Sequence, residues 1–349
     1  MSDDPHAPVP DSSGVVQSTR SFAGTSTGTS SGVQPSAPSA SGGGADLSTL
    51  VDAVETVYWG RRQAIEHLIV AWLCEGHALL EDVPGTGKTT LARALARAVG
   101  GSFRHVQFTS DLLPGDLLGL SVWKPSREEF EFQPGPIFAN VVLADELNRA
   151  SPRAQSGLLE CLANRSVSLD GVTHSLPRPF FVVATQNPLE FEGTQPLPES
   201  QLDRFLLRIT PGYPDRETER RLLARGRGAD PLESLEPVLA LDDLVRASDA
   251  ARGVRIEASL EDYLLDLASA SREDPDLLLG ASPRASMALA QAVRALAYLR
   301  GREYVTPDDV LELIAPVWGH RLVSREGLAG PTSEIGAIER LLERCPPPR

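Results

Sequence analysis

The sequence predicts an α/β protein, with a parallel sheet flanked by helices and then a small all-helical domain. Short apolar runs alternate with helix-period segments between residues 77 and 225, the pattern of a parallel sheet. A glycine-rich stretch, Asp82-Val-Pro-Gly85-Thr-Gly87-Lys88-Thr89, follows the first of those runs and opens a helical segment. Past residue 228 the strand patterns end and helical periodicity continues alone.

Residues 1–45 stand apart. Ser, Gly, Thr and Pro fill 27 of these positions and large apolar residues are almost absent. Such a segment cannot bury enough surface to offset its ordering entropy, so a disordered tail is expected. It lacks the apolar centre of a secretory signal. The remaining chain divides at residue 228 into an α/β domain over 46–228 and an all-helical domain over 229–349. A length of 349 residues suits two domains.

With 33 basic and 47 acidic residues the net charge is −14. That disfavours whole-surface binding to nucleic acid or anionic lipid, and leaves a local basic groove open. No apolar run approaches the ~20 residues of a membrane span. Cys74, Cys161 and Cys345 are odd in number and at no metal-ligand spacing, which fits a reducing cytoplasm.

Leu47, Leu50, Val51, Val54 and Val57 recur at helical spacing, and a second helix is expected over 62–74. His77 to Glu81 reads as a short buried strand. Further strands are expected at 104–108, 140–144, 180–185 and 205–209, with helices at 88–98, 151–163 and 215–225. Later helices are expected at 241–252, 257–271, 283–300, 306–317 and 334–343. Ser282-Pro283 and Thr306-Pro307 each supply an N-cap followed by proline at the first helical position.

The glycine-rich stretch has the chemistry of a phosphate-binding loop. Gly85 and Gly87 let the backbone curl so that its N–H groups point at phosphate oxygens, and the helix N-terminus adds partial positive charge. Lys88 neutralises the β- and γ-phosphates in such a loop, and the Thr89 hydroxyl ligates Mg²⁺. Asp82 stands where the strict pattern has glycine.

The run Val141-Val-Leu-Ala144 ends in Asp145 and Glu146 at a strand's carboxyl edge, where ligands bind in doubly wound sheets. Asp145 suits Mg²⁺, and Glu146 suits a general base that polarises water. The strand Phe180–Ala184 runs into Thr185-Gln186-Asn187-Pro188. Asn187 is placed to orient the attacking water; the alternative is a turn-forming Asn-Pro. Arg204 follows Asp203 and is a candidate to act on a neighbour's nucleotide, with Arg208 as competitor and an intramolecular salt bridge as alternative. Arg284 lies in the first turn of a helix, a poor place for a cation on dipole grounds. A helical domain folded over the nucleotide would aim it at the γ-phosphate; a solvated arginine is the alternative.

Together these residues resemble the AAA+ ATPases, and among them the MoxR family. The stretches that carry the resemblance are GHALLEDVPGTGKTTLARALA, QFTSDLLPGDLLG, FEFQPGPIFANVVLADELNRA, RPFFVVATQNPLEFEGTQPLPESQLDRFLLR and GASPRA. They span roughly residues 47–345, everything but the tail. The resemblance implies a P-loop NTPase of AAA+ type, with an α/β core and a small helical lid. It implies ATP and Mg²⁺ as cofactors. Val83, Pro84, Gly85, Thr86, Gly87, Lys88, Thr89 and Thr90 would bind nucleotide with Asp145, and Thr89 and Asp145 would hold the metal. Glu146, Asn187, Arg204 and Arg284 would serve catalysis as Walker B glutamate, sensor 1, arginine finger and sensor 2. Segments 121–133 and 166–176 resemble the helix-2 insert and the pre-sensor-1 hairpin. Tyr58-Trp59-Gly60-Arg61 departs from the Val-Gly-Gln expected there, where the backbone near Gly60 would seat the adenine.

Similar proteins form hexameric rings with ATP between subunits. They act as chaperone-like remodellers that mature or activate protein complexes, often beside a partner carrying a von Willebrand factor A domain. The expectation for this chain is an ATP-hydrolysing homo-oligomer of that kind, without nucleic acid and without an integral membrane segment. The alternatives are a nucleic-acid-translocating motor, in which Trp123, Phe130 and Phe132 would stack on bases, and a non-hydrolysing docking switch.

Overall fold

The computed structural model describes residues 46–81, 85–187, 194–195, 197–225, 230–325 and 331–348. The expected disordered tail over 1–45 lies outside the described residues.

In chain order the first elements are α1 (Ser48–Glu55), α2 (Arg62–Leu73), β1 (Ala78–Glu81), α3 (Lys88–Ala98) and β2 (Phe103–Gln107). A short helix α4 (Pro114–Leu118) leads into the hairpin β3 (Gly119–Lys124) and β4 (Glu129–Pro134). Then come β5 (Val141–Asp145), α5 (Pro152–Asn164), the hairpin β6 (Ser166–Leu169) and β7 (Val172–Ser175), and β8 (Phe181–Gln186). The helical turn α6 (Glu199–Leu202), β9 (Leu207–Ile209) and α7 (Arg216–Arg225) follow. The remainder comprises α8 (Pro231–Ser234), α9 (Leu241–Arg252), α10 (Ala258–Glu273), β10 (Leu277–Leu279), α11 (Pro283–Leu299), α12 (Pro307–Trp318), β11 (Val323–Ser324) and α13 (Pro331–Arg344).

The central sheet has five parallel strands in the order β2-β5-β8-β1-β9. Both faces are covered, so its strands read as apolar runs rather than alternating ones. The period of two still divides them. Leu80, Leu143 and Val183 face one core, with α1, α2 and α3. Leu79, Val142 and Val182 face the other, with α5. The first core continues without interruption into α9, α11 and α12. Trp72 of α2 stacks on Phe181 at 5.3 Å on the sheet side of α2.

The late helices begin as their caps dictate. Ser282 Oγ accepts the Ala285 N–H at 3.1 Å. The Asp309 carboxylate accepts the Thr306 N–H at 2.8 Å, with Pro307 at the first helical position. One expectation is corrected here. Strands do not end at residue 228, because β10 pairs with β11 in antiparallel fashion. At three and two residues, the two carry no alternation to read, and their pairing spans more than forty residues of sequence.

Asp170 and Gly171 both have positive φ, as a two-residue hairpin turn between β6 and β7 requires. The two hairpins touch. Phe132 stacks on His174 with centroids 3.9 Å apart, and Ser121 Oγ donates to Asp170 Oδ2 at 2.7 Å. Trp123 and Phe130 pair edge to face at 5.2 Å and stay exposed. Among the described residues, no helix is long and apolar enough to cross a membrane.

Candidate functional site

Parallel register brings the ends of four strands to one edge. Glu81 pairs with Gln186 and Gln107 pairs with Asp145, so the segments after β1, β2, β5 and β8 all open there. Asp82, Val83 and Pro84 lie outside the described residues. Gly85 and Gly87 follow with φ of +91° and +83°, a region that side chains rarely adopt. Gly87 caps α3, which begins at Lys88 and has no acidic residue in its first turn. The positive end of the helix is therefore not offset by a nearby side chain of its own. Thr86, Lys88, Thr89 and Thr90 are half-buried beside it.

A cavity of about 220 Å³ adjoins the loop. Tyr58, Gly60, Gly85, Thr86, Gly87 and Thr90 line it, and Leu222 of α7 closes it. A Cβ on Gly60 would collide with the Tyr58 ring, and one on Gly87 would come within 3.3 Å of the same ring. Both glycines therefore make room for Tyr58. Arg61 lines a separate cavity with His67, Arg208 and Glu312, so its side chain leaves the loop-side cavity clear.

Asp145 ends β5 half-buried, and Glu146 turns away with φ of +56°. One hydroxyl serves both. Thr185 Oγ1 donates to Asp145 Oδ1 and accepts the Glu146 N–H at 2.9 Å. His105 Nε2 lies 3.3 Å from Asp145 Oδ2. Glu146 Oε2 receives the Gln107 amide at 2.7 Å and lies 3.1 Å from Arg149 Nε. Asn187 follows β8, and its carbonyl accepts from Asn148 at 3.5 Å. Gln107, His105 and Thr185 were not singled out in the sequence. The signal for them was available, since each lies at or near the carboxyl end of a strand beside β5.

Gly60, Gly85–Thr90, Asp145, Glu146 and Asn187 thus gather at the carboxyl edge. Left-handed glycines at a helix N-terminus fit a phosphate chain. Thr89 and Asp145 suit Mg²⁺, which takes few protein ligands and completes its shell with water and phosphate. Among the described residues there is no group of three or more His, Cys, Asp or Glu side chains fit to hold a metal by themselves.

Arg204 and Arg284 are elsewhere. Arg204 precedes β9, and the Leu206 N–H just before that strand bonds to the His77 carbonyl just before β1. That is the amino edge of the sheet, about 13 Å from the carboxyl edge at ~3.3 Å per residue over four-residue β1. Arg284 joins it there, with Nη1 3.3 Å from Asp203 Oδ2. The helical part is anchored on the same turn. Arg321 donates to Asp203 Oδ1 at 2.8 Å and to the Phe205 carbonyl at 2.8 Å, and the Trp318 indole donates to the Ala285 carbonyl at 3.0 Å. This anchoring keeps Arg284 out of the lining of the loop-side cavity, where folding of the helical domain over the nucleotide was expected to aim it. Arg208 is buried between Glu81 and Glu334, so its charge is matched within the chain.

A five-stranded parallel sheet, a glycine loop opening a helix, paired carboxylates on the next strand but one and a helical lid define an AAA+ ATPase. The model of the ATPase family associated with various cellular activities matches residues 77–207, and that of the AAA lid domain matches residues 269–339. The uncharacterized protein YeaC of Bacillus subtilis (strain 168) is 46% identical over 277 residues, covering 79% of this chain and 87% of that protein. Chaperone MoxR1 of Mycobacterium tuberculosis is 43% identical over 317 residues, covering 87% and 84%. The crystal structure of a candidate ATPase from Cytophaga hutchinsonii superimposes with a TM-score of 0.79 at 35% identity, covering 87% of this chain and 95% of that one. The chain belongs to the MoxR family of AAA+ ATPases.

Proposed function

We propose that this chain is a Mg²⁺-dependent ATPase that works as a homo-oligomeric ring, six-membered as in similar proteins, and remodels partner proteins. The nucleotide-binding domain spans 46–228 and the lid 229–349. Lys88 and the amides of Gly85–Thr90 hold the phosphates, and Gly60 borders the adenine. Thr89 and Asp145 would hold Mg²⁺, which would supply positive charge to the phosphate oxygens. Glu146 takes the proton of the attacking water, and Asn187 orients that water. Arg204 and Arg284 reach the γ-phosphate of a neighbouring subunit.

The observation that carries this reading is the separation of the two groups. Arg204 and Arg284 share the Asp203 turn at the amino edge, while the phosphate loop opens at the carboxyl edge. One subunit keeps them at opposite edges, which supports a site completed by a neighbouring subunit.

A remodeller also needs a client-facing element. The exposed pair Trp123 and Phe130 at the β3–β4 hairpin offers one. The name of the Mycobacterium tuberculosis relative, a chaperone, agrees with this reading. A von Willebrand factor A domain protein is the proposed partner. The hairpin is poorly made for nucleic acid, since Lys124 and Arg127 lie 4.0 and 3.7 Å from Glu131 and Glu129. The test is ATP turnover per subunit against protein concentration, with Mg²⁺ and parallel sizing. Turnover that rises with assembly is expected. Full turnover by a monomer would overturn the shared site.

A further inference from the structure

Away from the phosphate loop, a cavity of about 420 Å³ lies where α2 meets α9 and α11. Arg165, Arg252, Arg294, Gln291, Ser248 and Glu75 contribute its polar lining, over a floor of Leu73, Ala251 and Ala295. Glu75, two residues past the end of α2, has φ of +51°, a conformation unusual for a residue with a side chain. Its carboxylate takes Arg165 at 2.9 Å, Arg178 at 2.6 Å and Arg252 at 2.6 Å.

This corner has more cation than it can use. Three guanidiniums, those of Arg165, Arg252 and Arg294, line the cavity against one carboxylate among its described lining residues, Glu75; outside the lining, Arg178 also binds Glu75 and Asp249 lies 3.3 Å from Arg252. Two positive charges are left over in a chain of net charge −14. Arg294 gives its Nε to the Val254 carbonyl at 3.1 Å and lines the cavity. Gathering like charges is unfavourable unless an anion shares the site. Forked guanidiniums match the oxygens of a phosphate group, and a dianion matches the surplus. The volume lies within the range of small-molecule pockets.

We propose that this cavity is a second anion site, separate from the phosphate loop, for a small phosphate-bearing ligand held by Arg252 and Arg294 with Gln291 beside them. Arg252 and Arg294 belong to the helical part, whereas Arg165 and Glu75 belong to the sheet-bearing part. A ligand here bridges the two parts and stabilises the lid position seen in this structure.

The test is calorimetric titration of the full chain with sodium pyrophosphate, without Mg²⁺, in a Lys88→Ala background that removes the loop lysine. One binding event should remain, accompanied by a rise in melting temperature, and raised salt should weaken it. Arg294→Gln in the same background should weaken it about tenfold or more, the effect of one lost charge-assisted hydrogen bond. Arg252→Gln is the second variant should the first fail to fold. No binding by the Lys88→Ala chain, or affinity unchanged by Arg294→Gln, would overturn the proposal. Neither result bears on ATP turnover, which is read separately from the wild-type chain.

Discussion

The Gln107 amide donates to Glu146 Oε2 over 2.7 Å, across the two adjacent strands β2 and β5. Arg149 holds the same oxygen at 3.1 Å. Each of these bonds occupies an oxygen that would otherwise be open to a water. Gln107→Leu removes one of them without touching the phosphate loop. Basal turnover should rise, by up to about tenfold for the loss of one such bond, with KM for ATP little changed. A fall in kcat would instead mean that Gln107 holds Glu146 in place to take the proton of the attacking water.

Lys88 and Glu146 are predicted to separate binding from chemistry. Lys88→Ala should abolish ATP binding. Glu146→Gln should retain binding and slow hydrolysis by about 10²–10⁴, the usual contribution of a general base. Equilibrium binding of a fluorescent ATP analogue beside steady-state turnover reads both. Tight binding by Lys88→Ala would remove the loop assignment.

If Arg204 serves a neighbour, two dead variants should rescue each other. Arg204→Ala keeps its own loop and lacks the finger, with turnover expected to fall by ~10³ or more. Lys88→Ala keeps the finger and lacks the loop. Mixed and allowed to exchange subunits, they should regain part of the wild-type turnover through interfaces that pair an intact loop with an intact arginine. No recovery in a mixture shown by sizing to contain mixed rings would sink the assignment.

Most of the sheet was legible because its signal is local. Val141–Ala144 and Phe181–Ala184 are buried on both faces, so each reads as a continuous apolar run, and the glycine loop advertises its own turn. The edge at which Arg204 sits was also available. Arg204 precedes its strand, while Lys88 follows its own and Asp145 ends its own, and in a parallel sheet those are opposite edges. The seat of Arg284 on Asp203 was not legible. It depends on Arg321 and Trp318, more than thirty residues further along, docking the helical part onto one turn. The Glu75 cluster is equally non-local, drawing guanidiniums from residues 165, 178 and 252.

Acid should destabilise the fold in two stages. Burial holds the His77 pKa down to about 4, with the nearby Arg165 charge adding to the effect, and burial with Arg321 and Arg208 holds His320 well below its ordinary 6.5. For both groups the folded value is depressed, so stability is complete above pH 6.5 and falls as the unfolded chain takes up protons the fold refuses. Glu75 follows lower down. Burial pushes its pKa up, but Arg178 and Arg165 more than offset this and bring it to about 2. Glu312, held by His67 and Arg300 against its burial, also stands at about 2. Their contribution is present above pH 4.5 and is lost as pH falls toward 2. Melting temperature against pH should decline below 6.5 and more steeply below 4.5. A flat profile from pH 7 to 5 would contradict the buried neutral histidines.

Arg208 and Arg204 sit four residues apart and should fail in different ways. Arg208 lies between Glu81 of β1 and Glu334 of α13, with all three side chains largely buried. Glu81 also accepts the Gln186 amide, one residue before Asn187. Arg208→Ala therefore strands two buried carboxylates, a defect on the order of 3–5 kcal/mol. The melting temperature should drop sharply, and the helical part should loosen from the sheet edge it contacts through β9. Arg208→Lys keeps the charge and should recover part of the loss. Arg204, half-buried with a long 3.5 Å contact to the Leu159 carbonyl, should tolerate alanine with little change in melting while turnover disappears. Melting curves and turnover measured on the same two preparations decide it. A stable, inactive Arg208→Ala beside a stable, active Arg204→Ala would exchange their roles and make Arg208 the residue that reaches the neighbouring site.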